Sequence, residues 1–231
     1  MSGAPRPLVV LGAGGSAREV VQLLRACPDA AGEPVAVTGL LDDDPARAGT
    51  SVDGVPVLGP TAAAAEHAGR GALLLACVGS PRDPGSRARL TARLGLPDDA
   101  WATVVHPLAA VSPDSTVGAG SVLHAGVVLT VAVTVGRHVY AMPHVVLTHD
   151  DEVADAATFG AGVRLAGGVS VGAAAYLGSG ALVREHRRIG AGALVGMGSV
   201  VVRDVPPGQT WAGNPARPLT PSPAALVEAS L

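Results

Sequence analysis

VSPDSTVGAGSVLHAGVVLTVAVTVG, residues 111–136, decides how the second half of this chain folds. Val111, Val117, Leu123, Leu129 and Val135 stand six apart in it. The phase extends from Val105 to Val201, and only Ala141 and Phe159 depart from Val, Leu or Ile. Two residues before most of these leaders stands a small or β-branched residue, such as Ser115, Ser121, Val127, Ala157, Ala175, Ala181, Ala193 or Ser199. Directly after many comes glycine, as at Gly118, Gly136, Gly160, Gly172, Gly178, Gly190 and Gly196. A helix repeats roughly every 3.6 residues and a simple strand every two, so neither makes a period of six. A parallel β-helix of hexapeptides does, with each short strand turning its leader inward. The glycines are expected at bends that need an unusual φ. Because the repeat keeps its frame without insertion, the prism should be uninterrupted.

Composition narrows the function. Hydrophobic residues make up 48% and charged ones 15% of 231 residues, which excludes a disordered chain. A formal charge of -3 with 2% aromatic residues argues against a nucleic-acid surface built on basic patches and stacking rings. A small molecule or another copy of the chain is the expected partner. Cys27 and Cys77 lack metal-ligand spacing, and nothing before Leu8 reads as a secretory signal, so the cytoplasm is the expected compartment. The apolar run 119–136 has the length of a membrane span, but it contains His124 and falls inside the repeat.

The first hundred residues follow another pattern. Leu8 to Leu11 reads as a buried strand, Gly12 to Ala17 as a tight turn and Arg18 to Arg25 as a helix; Val35 to Leu41 and Ala72 to Val78 read as strands, and Arg87 to Leu96 as a helix. Alternating strand and helix predicts a small α/β, Rossmann-like domain with a parallel sheet over residues 1–100. The all-β parallel β-helix follows over 101–217, with a tail at 218–231. Gly12, Gly14 and Ala17 fit the G-x-G-x-x-A fingerprint, in which small residues let a phosphate approach a helix N-terminus. The acidic run Asp42, Asp43 and Asp44 ends the second strand, where a ribose or base partner would sit. A plain glycine turn beside an acidic loop is the alternative. One hundred residues is short for a two-lobed dinucleotide domain, so a mononucleotide is the better ligand.

Within the repeat, LTHDDEV (147–153) packs one imidazole and three carboxylates into an aliphatic region. His149 lies two residues after the leader Leu147, which places it on a coil edge and off the packed axis. With eighteen residues to a coil, its stacked neighbours are Val131 and Gly167, and the glycine should leave a slot where a thioester could lie. Asp151 and Glu152 are expected to face solvent. A surface histidine with solvated acids is the plain alternative.

The repeat resembles the hexapeptide-repeat, left-handed β-helix family, in which three hexads make one triangular coil. That resemblance implies a homotrimer with sites between adjacent prisms. VVLGAGGSAREVVQLL, GLLDDDPARAGTSVDGVPVLG and WATVVHPLAAVSP further resemble the PglD/NeuD family of sugar O- and N-acyltransferases, and the match runs from Leu8 to Arg217. It implies an acyltransferase that uses acetyl-CoA, needs no metal and acts on an amino or hydroxyl group of a nucleotide-linked sugar. It implies His149 as general base with Asp150 orienting it. Gly12, Gly14, Gly15 and Ser16 would lie at the diphosphate, and Asp42 and Asp43 at the nucleoside. Gly167, Ser179 and Arg217 of the closing GNPAR loop would lie along CoA, with Arg184, Arg187 or Arg188 as further phosphate partners. Two positions depart from the family: Ser16 and Thr158 stand where relatives often carry His. The Thr158 hydroxyl could position an acceptor but is no strong base. The same chemistry on a non-nucleotide acceptor is therefore the main alternative. A zinc enzyme like the γ-class carbonic anhydrases is a lesser one. His144 and His149 have the spacing of one ligand pair there, but Leu108 stands where a third ligand would fall.

Overall fold

A computed structural model describes residues 4–219. The chain opens with β1 (Arg6–Leu11), α1 (Gly15–Ala26), β2 (Val35–Leu41), β3 (Ser51–Val52), β4 (Val55–Gly59), α2 (Ala64–Gly69), β5 (Leu73–Ala76) and α3 (Ser86–Leu94). These strands make one sheet in the order β3-β4-β2-β1-β5, parallel apart from the β3–β4 hairpin. α1 buries Ala17, Val20, Val21, Leu23 and Leu24, the apolar side legible in its periodicity. α3 ends at Leu94, short of the expected Leu96, because Gly95 turns left-handed at φ 58°. The β3–β4 hairpin was not anticipated. It folds around Asp53 and Gly54, both at positive φ.

From Val104 onward two-residue strands recur every six residues and stack on three faces. The first face carries Val128–Leu129, Val146–Leu147 and Arg164–Leu165; the second Thr134–Val135, Glu152–Val153 and Ser170–Val171; the third Tyr140–Ala141, Thr158–Phe159 and Tyr176–Leu177. Each residue pairs in parallel with the one eighteen positions on, as Leu129 does with Leu147 and Leu147 with Leu165. The leaders fill the axis: Leu123, Leu129, Leu147, Phe159, Leu165 and Leu177 are all buried. The apolar run 119–136 forms part of these coils, and no helix among the described residues is long and apolar enough to cross a membrane.

The glycines after the leaders do other work than expected. Gly118 and Gly178 are not at positive φ. A Cβ on Gly118 would come within 2.5 Å of Gly136 C, and one on Gly178 within 2.6 Å of Met197 N, so these glycines let adjacent coils approach. The left-handed bend falls two residues later, at Gly120, Gly162 and Gly180, and also at Ala132, His138, His144, Asp150 and His186. A non-glycine residue there costs roughly 1–2 kcal/mol, which neighbouring coils must over-determine.

The prism closes with Thr210–Gly213, which pairs with Leu194–Val195, and with antiparallel Ala216–Pro218. The tail expected over 218–231 lies outside the described residues from 220 onward. At the other end the two parts share a core. Tyr140, Val122, Val104 and Ala102 pack with Leu8, Val10 and Leu73, and Leu74 forms a bridge to Trp101.

Candidate functional site

His149 and Asp150 form the two-residue bend between the first and second faces. Asp150 adopts φ 61°, a conformation Asp tolerates better than most residues, and its Oδ2 lies 2.8 Å from His149 Nδ1. An ionised carboxylate only accepts, so Nδ1 is the donor in this pair, and in the neutral ring that arrangement leaves the lone pair on Nε2. The two side chains are 61% and 69% exposed, so the pair lies on the open edge of the prism. The slot expected above Gly167 is not empty. The His149 ring lies in it, with Cε1 and Nε2 where a Cβ on Gly167 would be. On the far side of that backbone the His186 ring lies against Gly168.

Glu152 is exposed as expected, but Asp151 is a correction. It is 0% exposed, and its carboxylate accepts Thr148 N and Val169 N, each at 2.8 Å. The reason is register. Asp151 stands two residues before the leader Val153, a place whose side chain points into the prism. Burial pushes its carboxyl up to about 6, partly offset by the two backbone N–H groups.

The expected CoA residues do not gather within one chain. Gly167 shares the edge of His149, whereas Ser179 follows Tyr176–Leu177 on the edge between the third and first faces, and Arg217 sits in the terminal hairpin, donating to Ala216 O. Arg184 and Arg187 pair with Glu185 and Asp204. His144 likewise lies on a different edge from His149, its ring against Gly126. Among the described residues no three His, Cys, Asp or Glu side chains come together to hold a metal.

In the α/β part the glycine turn separates two openings. Gly12, Asp42 and Asp43 line a cleft of about 510 Å³ with Thr61, Val78, Ser86, Arg89 and Arg93. It lies at the carboxyl ends of β1 and β5, where chain connections leave the sheet in opposite directions. Gly12 needs its φ of 101° and its missing Cβ, since Val78 Cγ1 would be 3.0 Å away. Asp42 Oδ2 accepts Ala13 N at 2.7 Å. Burial alone would raise the Asp43 carboxyl, but hydrogen bonds from Thr61 and Arg93 bring it below the usual carboxylate range. Gly14 and Gly15 instead border an opening with Arg18 and Arg47, where a Cβ on either would meet open space. Ser16 reaches the prism: its carbonyl accepts Tyr140 Oη at 3.2 Å, and Tyr140 Oη lies 2.9 Å from His124 Nε2.

Thr158, expected beside an acceptor, is buried under α3, and its hydroxyl lies 2.5 Å from Arg87 Nη2. Arg87 had not been anticipated. It is 2% exposed, donates to Val78 O, Ala156 O and Ala157 O, and stands 5.7 Å from the Tyr140 ring centroid. Burial pulls its guanidinium down to about 10. No spacing rule marks such a residue, because its partners are backbone carbonyls of a distant coil. Arg89 and Arg93 were legible in principle, standing one turn apart on the helix that follows β5.

No protein-family model matches this chain, and no curated protein does. Solved structures do. A His-to-Ala variant of GDP-perosamine N-acetyltransferase from Caulobacter crescentus, in complex with CoA and GDP-perosamine, is 36% identical over 94% of this chain and 98% of its own, with a TM-score of 0.80. The acetyltransferase domain of PglB from Neisseria gonorrhoeae, in complex with acetyl coenzyme A, is 30% identical over 94% and 100%, with a TM-score of 0.77. WeeI from Acinetobacter baumannii is 26% identical over 93% and 100%, with a TM-score of 0.76.

Proposed function

Because this chain belongs to the sugar N-acetyltransferases of the left-handed β-helix, hexapeptide-repeat superfamily, we propose that His149 is the base with which it acetylates a nucleotide-linked amino sugar. It is an acetyl-CoA-dependent acetyltransferase. The acceptor amine attacks the thioester carbonyl while His149 Nε2 removes its proton. The new N–C bond replaces the C–S bond, and the departing CoA thiolate takes up the proton. Asp150, on Nδ1, holds the ring in that tautomer and stabilises the imidazolium. The observation that carries this reading is the 2.8 Å contact between His149 Nδ1 and Asp150 Oδ2 on an exposed edge, with Nε2 turned to the next coil. A Caulobacter relative that binds CoA and GDP-perosamine together supports the acceptor class.

We read residues 1–100 as a Rossmann-like nucleotide-binding domain, with Gly12, Asp42 and Asp43 in the cleft beside Arg89 and Arg93, and Gly14, Gly15 and Ser16 at the helix start. Residues 101–217 are the catalytic prism. Thr158 is assigned to the junction, through Arg87. A homotrimer is supported by the outer side of the first face, where Val128, Val146, Leu182 and Val200 are aliphatic and incompletely buried. It is also supported by the separation of Ser179 and Arg217 from the His149 edge, since a donor touching both sets needs a second prism. The reaction belongs in the cytoplasm, where acetyl-CoA and nucleotide sugars occur together.

The test is CoA thiol release from acetyl-CoA by purified protein across GDP-, UDP- and dTDP-linked amino sugars, with His149→Ala alongside. Acceptor-dependent release that falls about 10²- to 10⁴-fold in the variant is expected. Full activity in the variant refutes the assignment of the base, and silence across the panel moves the acceptor outside nucleotide sugars.

A further inference from the structure

At most hexads a side chain two residues before the leader points into the prism, and across the described coils this place is filled mostly by Val, Ala or Ser. Ser115 and Ser121 show what a polar group does there: each accepts the N–H eighteen residues on, Val133 N at 3.0 Å and Val139 N at 2.9 Å. Asp151 makes the equivalent contact with Oδ1, at Val169 N, and its second oxygen takes Thr148 N. A single hydroxyl satisfies the first N–H, so a carboxylate is needed only where a second must be held. Packing does not ask for the charge, and burying a carboxylate is costly. Its folded-state value near 6 shows that cost, with His149 and Asp150 as the charged groups acting on it.

The two donors are distinguished by where they lie. Thr148 immediately precedes His149. Val169 follows Gly167 and Gly168, the backbone across which the His149 ring lies. We propose that Asp151 is a positioning residue for His149, a single buried carboxylate that ties the bend carrying the imidazole to the coil against which that imidazole rests. The inference rests on the reading of His149 as base for its consequence in turnover, though not for its geometry. Asp150 sets the tautomer from the solvent side, while Asp151 sets the height of the bend from inside. Misplacing a reacting group by about 1 Å can cost about 10²-fold in rate.

Asp151→Ser keeps the Val169 contact and drops the Thr148 one, and Asp151→Asn keeps the shape while turning an amide donor toward one of the two N–H groups. The full-length protein labelled at histidine is used, with the His149 signal identified from its loss in His149→Ala. In the wild type a nuclear Overhauser contact is expected between the His149 ring and the Gly167 α-protons, and likewise between His144 and Gly126. In Asp151→Ser the His149 contact should vanish while the His144 contact and a single cooperative melting transition persist. Retention of the His149 contact in both variants overturns the proposal. Turnover is read separately: kcat should fall about 10- to 100-fold with KM for acetyl-CoA within about twofold. Loss of the ring contact with unchanged kcat would leave Asp151 as the positioning group and refute His149 as the base instead. Loss of both histidine contacts would mark Asp151 as a general fold determinant and overturn the specific role.

Discussion

The imidazole of His149 occupies the space in which a Cβ on Gly167, one coil further along the prism, would stand. Gly167 is not at positive φ, so alanine there meets the ring and no backbone penalty. Gly167→Ala should fold with a stability change within about 1 kcal/mol, because the ring can swing into solvent. Turnover should nevertheless fall about 10- to 100-fold as Nε2 leaves its place. Chemical denaturation and steady-state kinetics on one preparation check the two halves, and unchanged kcat would show that the resting position of the ring does not matter.

Asp150 combines a left-handed backbone with, among the described residues, the only side-chain hydrogen bond to the His149 ring. Asn tolerates that φ, so Asp150→Asn should keep the bend. A neutral amide cannot stabilise the imidazolium as a carboxylate does, and kcat should fall about tenfold or more with KM little changed. Wild-type kcat across the pH range would remove Asp150 from the mechanism.

Arg87 joins α3 to the prism through the carbonyls of Ala156 and Ala157 and the Thr158 hydroxyl. Arg87→Met fills the volume but removes the donor to Ala156 O and to the Thr158 hydroxyl, while Ala157 O keeps the Tyr140 N–H, and should destabilise by about 2–4 kcal/mol. Thr158→Val should cost about 1–2 kcal/mol alone and little more in the Arg87→Met background, because the two share one contact. Urea midpoints for the two single variants and the double variant measure this coupling, and simple additivity would contradict it.

His124 and His138 are both held near 4 by burial, below their ordinary 6.5. The unfolded chain therefore binds more protons than the folded one between about pH 6.5 and 4, and stability falls as pH drops through that window. Each shift corresponds to about 3 kcal/mol when fully developed. Asp151 acts in the opposite sense. Its raised folded value means the folded chain holds the extra proton between about pH 4 and 6, so it lowers stability as pH rises through that range. His138→Asn, which suits the φ of 55° there, should flatten the acid loss, and Asp151→Ser should steepen it. Melting temperatures from pH 7 to 4 test both signs, and parallel curves for all three proteins would refute them.

Much of this was legible without coordinates, for a definite reason. A hexad repeat ties sequence position to spatial position. Leu147 had to point inward, His149 had to lie on an edge, and Gly167 had to stack on it once eighteen residues made a coil. The same rule, followed two residues beyond His149, places Asp151 inside. Reading the acids together as a solvated run missed it, although its place two before Val153 was the available signal. The glycines after the leaders were misjudged because composition marks where Cβ is unwelcome without saying whether φ or a neighbouring coil forbids it.

What only tertiary structure decided involves contacts between parts with no common period. Arg87 meets Ala156–Thr158 across about seventy residues, and Ser16 O meets Tyr140 across more than a hundred. Those contacts depend on how a helix of the α/β part lands on a β-helix face, an arrangement set by packing around Tyr140, Val122 and Leu8 that no local pattern encodes. The sequence by itself determined the prism, its inward leaders and the edge that carries His149, because a strict repeat allows one register. The burial of Thr158 and the sharing of a single cleft by Gly12, Asp42, Asp43, Arg89 and Arg93 were decided in three dimensions, where the two parts of the chain and the ends of the sheet converge.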